Sequence, residues 1–276
     1  MTMTRFREIF NEIGADTRYN LHSHTQFCDG HADMEEMVRG AIRAGLKHYG
    51  FSPHSPLTIT SPCNMDAADV DAYMAEVRRL QLKYEGQIRL YAAMEVDYLG
   101  PQWGPASPAV RAYGLDYIIG SVHFVPSKNG VYADTDGPAD RFARYVHEVF
   151  DDDLRYVVDR FFAQTQAMIE AGGLDIVGHF DKIGLNASAM CPGIENEPWY
   201  GRHIADTVDC IAAHGVAAEI NTKALQRHGR FFPGTGWWPL LLRAGVPIVV
   251  NSDAHDPALT DAGRPEALDA LKSMVP

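Results

Sequence analysis

The chain has 276 residues, of which 46% are hydrophobic and 22% charged, a composition typical of a folded globular protein rather than a disordered or fibrous one. Its 36 acidic residues outnumber its 24 basic ones, and the formal net charge of -12 disfavours a nucleic-acid backbone as a partner. No segment contains the roughly 18 consecutive apolar residues that a membrane-spanning helix requires, so we expect no membrane partner either.

Seven short β-rich runs recur along the chain, each followed by a polar or Gly/Pro loop and then by a helical stretch. The predicted strands are Arg18 to His22, His48 to His54, Ile88 to Tyr98, Asp116 to Phe124, Asp175 to Asp181, Ala217 to Asn221 and Pro247 to Asp253. The helix predicted from Met34 to Ala44 begins with a capping box formed by Asp33 and Glu36. Gly45 follows it, as expected where a helix ends with φ > 0.

Strands that alternate with helices predict a parallel sheet, either closed into a barrel or open and doubly wound. No GxGxxG fingerprint follows the first strand and no Walker phosphate loop is present, which disfavours an open nucleotide-binding sheet. No linker or change of composition divides the chain. We therefore expect an α/β barrel formed by a single domain over residues 1–276.

Six of the seven predicted strands end in a histidine or a carboxylate, at the edge where parallel α/β folds place their active sites. One such residue is usually a core side chain with a satisfied hydrogen bond, but that explanation is poor for the whole set. The candidates are His22, His24, His54, Glu95, His123, His179, Asp253 and His255, together with Asp29 in the turn after the first strand.

The spacing of these residues favours metal binding. His22 and His24 are two residues apart, so both imidazoles project from the same side of an extended chain, and Asp253 and His255 repeat this arrangement. Mixed imidazole and carboxylate ligands suit zinc, iron or manganese better than calcium or magnesium. Eight or nine candidates exceed what one tetrahedral ion can use, so we expect more than one divalent transition-metal ion.

Six motifs in this order resemble the PHP (polymerase and histidinol phosphatase) family: HSHTQFCDG, FSPHSP, MEVDY, GSVHF, GHFDKI and NSDAH. The resemblance runs from about His22 to Arg264. The branch that the chain resembles is that of the stand-alone histidinol-phosphate phosphatases, on the segments Gly120–Phe124, Gly172–Ile183 and Glu219–Lys223.

The resemblance implies a distorted (β/α)7, TIM-like barrel that carries three metal ions. The implied ligand sets are His22, His24, Glu95 and Asp253 for the first ion, Glu95, His123 and His179 for the second, and Asp29, His54 and His255 for the third. Glu95 would then bridge the first two ions. Some branches have a histidine near the position of Asp29, which leaves the metal at the third site open.

Such a cluster suits the hydrolysis of a phosphate monoester, because a metal-bridging hydroxide is a nucleophile and the ions neutralise charge on the phosphoryl oxygens. We expect catalytic roles for Glu95, Asp253 and His255, while the acid that protonates the leaving alkoxide stays open. Cys28 lies inside the first motif, but no thiol nucleophile is needed, so it is expected to pack.

Two cations in loops are candidate substrate contacts. Lys182 follows the fifth-strand motif and Arg230 follows the sixth strand, where a positive charge would meet a phosphate. Solvated surface charge is the alternative for either residue.

Three classes of function remain. The first is a phosphomonoesterase acting on L-histidinol phosphate in histidine biosynthesis; the second is a PHP phosphoesterase on another ester, such as a nucleotide or phosphotyrosine. The third is a metal-binding or structural protein without catalysis. The sequence leaves the oligomeric state open.

The cysteines and the first residues bear on the cellular compartment. The four cysteines are widely scattered, which is typical of reduced thiols rather than of a disulfide framework. The first ten residues contain no apolar run, so we expect neither a signal peptide nor a membrane anchor. These features predict a cytoplasmic protein.

Overall fold

The computed structural model describes residues 2–274 and forms a (β/α)7 barrel, as predicted. Its nine strands are β1 (Tyr19–Asn20), β2 (His48–Phe51), β3 (Arg89–Asp97), β4 (Tyr117–Ser121), β5 (Phe124–Pro126), β6 (Tyr132–Asp134), β7 (Ile176–Val177), β8 (Ala217–Asn221) and β9 (Ile248–Asn251). Seven of them form one parallel sheet in the order β1-β2-β3-β4-β7-β8-β9. Just beyond β1 and β9, Ser23 pairs in parallel with Ala254, and this bridge nearly closes the sheet on itself.

The seven predicted strands are all present. β8 has the predicted bounds, and the other six are shorter than expected at one or both ends. β1 stops at Asn20 because the next amides bond to side chains: the Leu21 N–H donates to Asn251 Oδ1 and the Ser23 N–H to Ser52 Oγ. The antiparallel hairpin of β5 and β6 was not predicted. It projects over the carboxyl ends of the strands.

The helices lie around the sheet. Their bounds are α1 (Thr2–Ile13), α2 (Met34–Arg43), α3 (Val70–Lys83), α4 (Pro108–Ala112), α5 (Ala139–Phe150), α6 (Leu154–Ala171), α7 (Ile183–Met190), α8 (Pro198–His214), α9 (Leu225–His228), α10 (Trp238–Arg243) and α11 (Arg264–Met274). The capping box predicted for α2 is confirmed: Asp33 accepts from the Glu36 N–H at 2.7 Å, and Glu36 accepts from the Asp33 N–H. None of the helices described here is long and apolar enough to cross a lipid bilayer.

The interior of the barrel changes character along the strands. Successive inward positions on β3 are Tyr91, Ala93 and Glu95, because side chains on one face recur every second residue. The first two pack into an apolar cluster with α1, whose Phe6 ring contacts Tyr117. This cluster fills the amino-terminal end of the barrel, so inward residues at the carboxyl end are the ones left for polar chemistry.

Candidate metal centre

All nine predicted ligands gather at the carboxyl ends of the barrel strands. They are His22, His24 and Asp29 after β1, His54 after β2, Glu95 in β3, His123 after β4, His179 after β7, and Asp253 and His255 after β9. Seven of the nine are buried, whereas Asp29 and His255 are partly exposed. The structure therefore brings the whole predicted set into one site.

One oxygen of Glu95 faces three imidazoles. Its Oε2 lies 3.3 Å from His22 Nε2, 3.5 Å from His24 Nε2 and 3.1 Å from His54 Nδ1. Asp253 Oδ1 adjoins the same group, 3.1 Å from His24 Nε2. This arrangement agrees with the first implied ligand set, and it also places His54 against Glu95.

The other oxygen of Glu95 faces a separate pair of imidazoles. Its Oε1 lies 2.8 Å from His179 Nε2 and 3.5 Å from His123 Nε2, and it accepts a hydrogen bond from Ser121 Oγ at 2.7 Å. The two oxygens of one carboxylate thus face two separate groups of imidazoles, so Glu95 could hold two ions at once.

Asp29 occupies the outer side of the cluster. Its Oδ1 lies 3.4 Å from His24 Nδ1, 3.4 Å from His255 Nε2 and 3.9 Å from His54 Nε2. His54 therefore presents one ring nitrogen to Asp29 and the other to Glu95. His24 and His54 therefore connect the ligands around Asp29 with the ligands around Glu95.

The donor set fits transition-metal ions. An ion bound tetrahedrally at about 2.1 Å separates its ligand atoms by about 3.4 Å, close to the spacings around Glu95. Asp29 Oδ1, His54 Nδ1 and His123 Nε2 are buried and have no hydrogen-bond partner among the described residues. Buried polar atoms normally have partners, and these three would acquire one by binding a cation.

Burial and charge set the protonation of the ligands. Burial lowers the pKa of His54 to about 3 and that of His255 to about 4, which leaves both imidazoles neutral near pH 7. Burial also opposes the charge on His22, but the carboxylates of Glu219, Asp253 and Glu95 raise its pKa to about 10. A metal ion at His22 must therefore displace a proton.

Two buried carboxylates that sequence reasoning did not assign hold ligand rings from behind. Asp97 Oδ1 accepts from His123 Nδ1 at 2.8 Å, and Glu219 Oε1 accepts from His22 Nδ1 at 2.7 Å. Each contact directs the opposite ring nitrogen toward Glu95. Asp97 could have been identified from the sequence, because inward side chains recur every second residue of a strand and Asp97 follows Glu95 by two.

The predicted substrate cations differ in their surroundings. Lys182 is only 10% exposed and pairs with Asp136 at 2.8 Å, beside the cluster. Arg230 instead donates two hydrogen bonds of 2.9 and 3.1 Å to Glu195 and a third to Asp181. Its polar contacts within residues 2–274 include no predicted ligand, so its role toward a substrate stays a prediction.

Lys223 is a cation that sequence reasoning left without a role. Its Nζ donates to His255 Nε2 at 3.1 Å and lies 3.5 Å from Asp253 Oδ1. It also lines a cavity of about 730 Å³ that opens beside the cluster, between Asp29 and His123 on one side and the hairpin of β5 and β6 on the other. A cavity of this size accommodates a small ester.

Comparison with known proteins supports the family resemblance of the sequence motifs. Residues 20–223 match the family model described as the PHP domain. The chain is 31% identical over 252 residues to the histidinol-phosphatase of Bacillus subtilis, a match that covers 85% of this chain and 92% of that protein.

Two solved structures share the fold. A protein from Listeria monocytogenes that is proposed to be a histidinol phosphatase gives a TM-score of 0.78 at 21% identity, over 91% of this chain and 99% of that one. The histidinol phosphate phosphatase of Lactococcus lactis, solved with zinc, L-histidinol and phosphate, gives 0.72 at 16% identity, over 94% of both chains.

Proposed function

The chain belongs to the PHP domain family, and we propose that it is a metal-dependent phosphomonoesterase that hydrolyses L-histidinol phosphate to L-histidinol and phosphate in histidine biosynthesis. The observation that carries this proposal is Glu95, a single buried carboxylate whose two oxygens face five imidazoles. The activity of the Bacillus subtilis relative supports the choice of substrate.

We propose three divalent ions of zinc, iron or manganese, held by the three ligand sets that the family resemblance implies. The zinc in the Lactococcus lactis structure supports zinc as one of them. When bound, such ions lower the pKa of a water molecule that attacks phosphorus and offset the charge on the phosphoryl oxygens. Glu95 would hold the first ion through one oxygen and the second through the other, because its two oxygens face different imidazoles.

Asp253 and His255 are proposed to serve the leaving group. Asp253 has a φ of 50°, which is uncommon outside glycine, and Asn221 Nδ2 donates to its Oδ2 at 3.1 Å. The Nζ of Lys223 donates to His255 at the cavity wall. The leaving alkoxide would gain the proton that the attacking water molecule loses, passed on by Asp253 and His255, and Lys182 is proposed to bind the phosphate.

The charge of the protein favours a substrate with a cationic end. The metal ions and Lys182 would attract the phosphate, while the net charge of -12 favours a cationic amine or imidazole at the other end of the substrate. L-Histidinol phosphate has this polarity, and nucleotides do not. The net charge of -12 also argues against a polynucleotide substrate.

We also propose that residues 1–276 form one catalytic domain that acts in the cytoplasm. The four cysteines, which are free in the structure, support this compartment. The proposal requires no particular oligomeric state.

A panel of phosphomonoesters tests the proposed function. We expect kcat/KM for L-histidinol phosphate to exceed that for nucleoside monophosphates and phosphotyrosine by at least about a hundredfold, or about 2.7 kcal/mol of differential transition-state binding. Metal content is measured on the same sample. A higher value on a nucleotide or on phosphotyrosine would transfer the proposal to that ester, and no hydrolysis of any ester by the metal-loaded protein would refute it.

A further inference from the structure

The sixth strand of the barrel sheet, β8, delivers no predicted metal ligand, yet it carries a fully buried carboxylate beside the centre. Glu219 is 0% exposed and belongs to none of the groups of described residues whose atoms can surround one ion. Burying a carboxylate is costly unless donors surround it. Its contacts therefore need an explanation other than direct coordination.

Four donors satisfy Glu219. Its Oε1 accepts from His22 Nδ1 at 2.7 Å and from Asn251 Nδ2 at 2.9 Å. Its Oε2 accepts from the backbone N–H of His179 at 3.2 Å and from Asn221 Nδ2 at 3.1 Å. Two oxygens with two donors each leave no free position for an ion.

These contacts reach ligands of two separate ions. His22 belongs to the first proposed set, and its bond to Glu219 fixes the ring so that Nε2 faces Glu95. His179 belongs to the second set, and Glu219 holds its backbone where the strand ends. Asn221 also donates to Asp253 Oδ2, which links Glu219 to another ligand of the first ion.

We propose that Glu219 is a positioning residue that sets the affinity of the first two metal positions together. Asp97 supplies a contrast, because its side chain accepts only from His123, a ligand of the second ion alone. No hydrogen bond or ion pair among the described residues joins either carboxylate to the third proposed set, although atoms of Asp97 and His54 lie within 4.8 Å of each other. This inference rests on the proposed metal centre, but it assigns a residue that coordinates nothing.

Zinc binding to the full-length protein tests the assignment. Stoichiometry is measured by elemental analysis, and the individual affinities by competition with chelators of graded strength, for wild type, Glu219→Ala, Glu219→Gln and the matched control Asp97→Asn. Loss of such an outer carboxylate weakens metal binding by about 10- to 100-fold. We expect that loss at two positions in Glu219→Ala and at one in Asp97→Asn.

Glu219→Gln preserves the shape of the side chain and one acceptor oxygen, but its NH2 group must face two donors. We expect its affinities to fall between those of wild type and Glu219→Ala. Circular dichroism and melting of the metal-free variants give a readout independent of activity. Unchanged zinc affinities, a loss at one position only, or failure of both Glu219 variants to fold would overturn the assignment.

Zinc binding by wild type separates this inference from the proposed function. If wild type binds zinc and the variants bind it equally well, only the role of Glu219 fails. If wild type binds no zinc, iron or manganese, the proposed function fails and the role of Glu219 fails with it.

Discussion

Glu95→Gln is the substitution that most directly probes the centre. It preserves the size of the side chain, removes its charge and replaces one oxygen by an NH2 group. If the NH2 group faces inward on the Oε1 side, it meets His179 Nε2 at 2.8 Å; on the Oε2 side it meets three ring nitrogens between 3.1 and 3.5 Å away. Either orientation deprives at least one ion of its carboxylate ligand.

The expected cost follows from that geometry. Groups that merely support a metal ligand are worth about 10- to 100-fold, so losing a bridging ligand should lower kcat by on the order of a hundredfold or more, or about 2.7 kcal/mol. The assay is kcat on an aryl phosphate with the metal content of the same preparation. We expect both to fall.

The matched control is Glu76→Gln on α3, which also exchanges a carboxylate for an amide. Glu76 pairs with Arg79 at the surface, 2.7 Å apart, and such a pair contributes little to stability. We expect this variant to behave as wild type. The bridging assignment would be refuted if Glu95→Gln kept a near-normal kcat, or if it lost activity while retaining its full metal content.

Three further predictions concern metal removal, pH and the loop cations. Chelation should lower the melting midpoint, because one ion at a hundred times its Kd contributes about 2.7 kcal/mol; an unchanged calorimetric curve would show that the folded cluster binds no ion. Burial raises the pKa of Asp175 from 3.8 in the unfolded chain to about 6 in the folded protein. Its protonated form therefore stabilises the fold fully below pH 3.8, and this stabilisation is lost as the pH rises through about 6. Asp175→Asn should abolish this loss, on the order of 3 kcal/mol, in denaturant unfolding from pH 4 to 7, and an unaltered pH profile would contradict it. Lys182→Met should lower kcat/KM roughly tenfold for all esters. Arg230→Met should mainly destabilise the fold, by on the order of 3 kcal/mol, because it leaves the buried Asp181 and the partly exposed Glu195 without their cation. Steady-state kinetics and chemical unfolding distinguish the two, and the reverse pattern would make Arg230 the phosphate contact.

The barrel and the ligands nearest in sequence were predictable because their signals are local. The pair His22 and His24 projects to one side of an extended segment whatever the rest of the chain does. Likewise, the capping box at Asp33 follows from residues three apart.

Residues defined by distant partners were not predictable from the sequence. Arg230 stands in a loop where a substrate cation is plausible, but its partner Glu195 lies 35 positions earlier in the chain. Glu219 resembles any acidic residue until the barrel closes and brings His22, 197 positions away, against it. Such contacts depend on tertiary packing, which spacing alone does not report.

The change from apolar to polar side chains inside the barrel determines how molecules enter and leave. Ala93 is fully buried and lies only one inward position below Glu95, about 7 Å along β3. The apolar layer fills the barrel axis below the centre, and among the described residues the cavity beside the hairpin opens directly onto the ligand cluster. If the phosphate binds at the metal centre, as proposed, the alcohol lies nearer this opening and would depart first. Inorganic phosphate would then leave last, through the opening by which the substrate arrived, so a metal centre that binds the anion more tightly would slow its release.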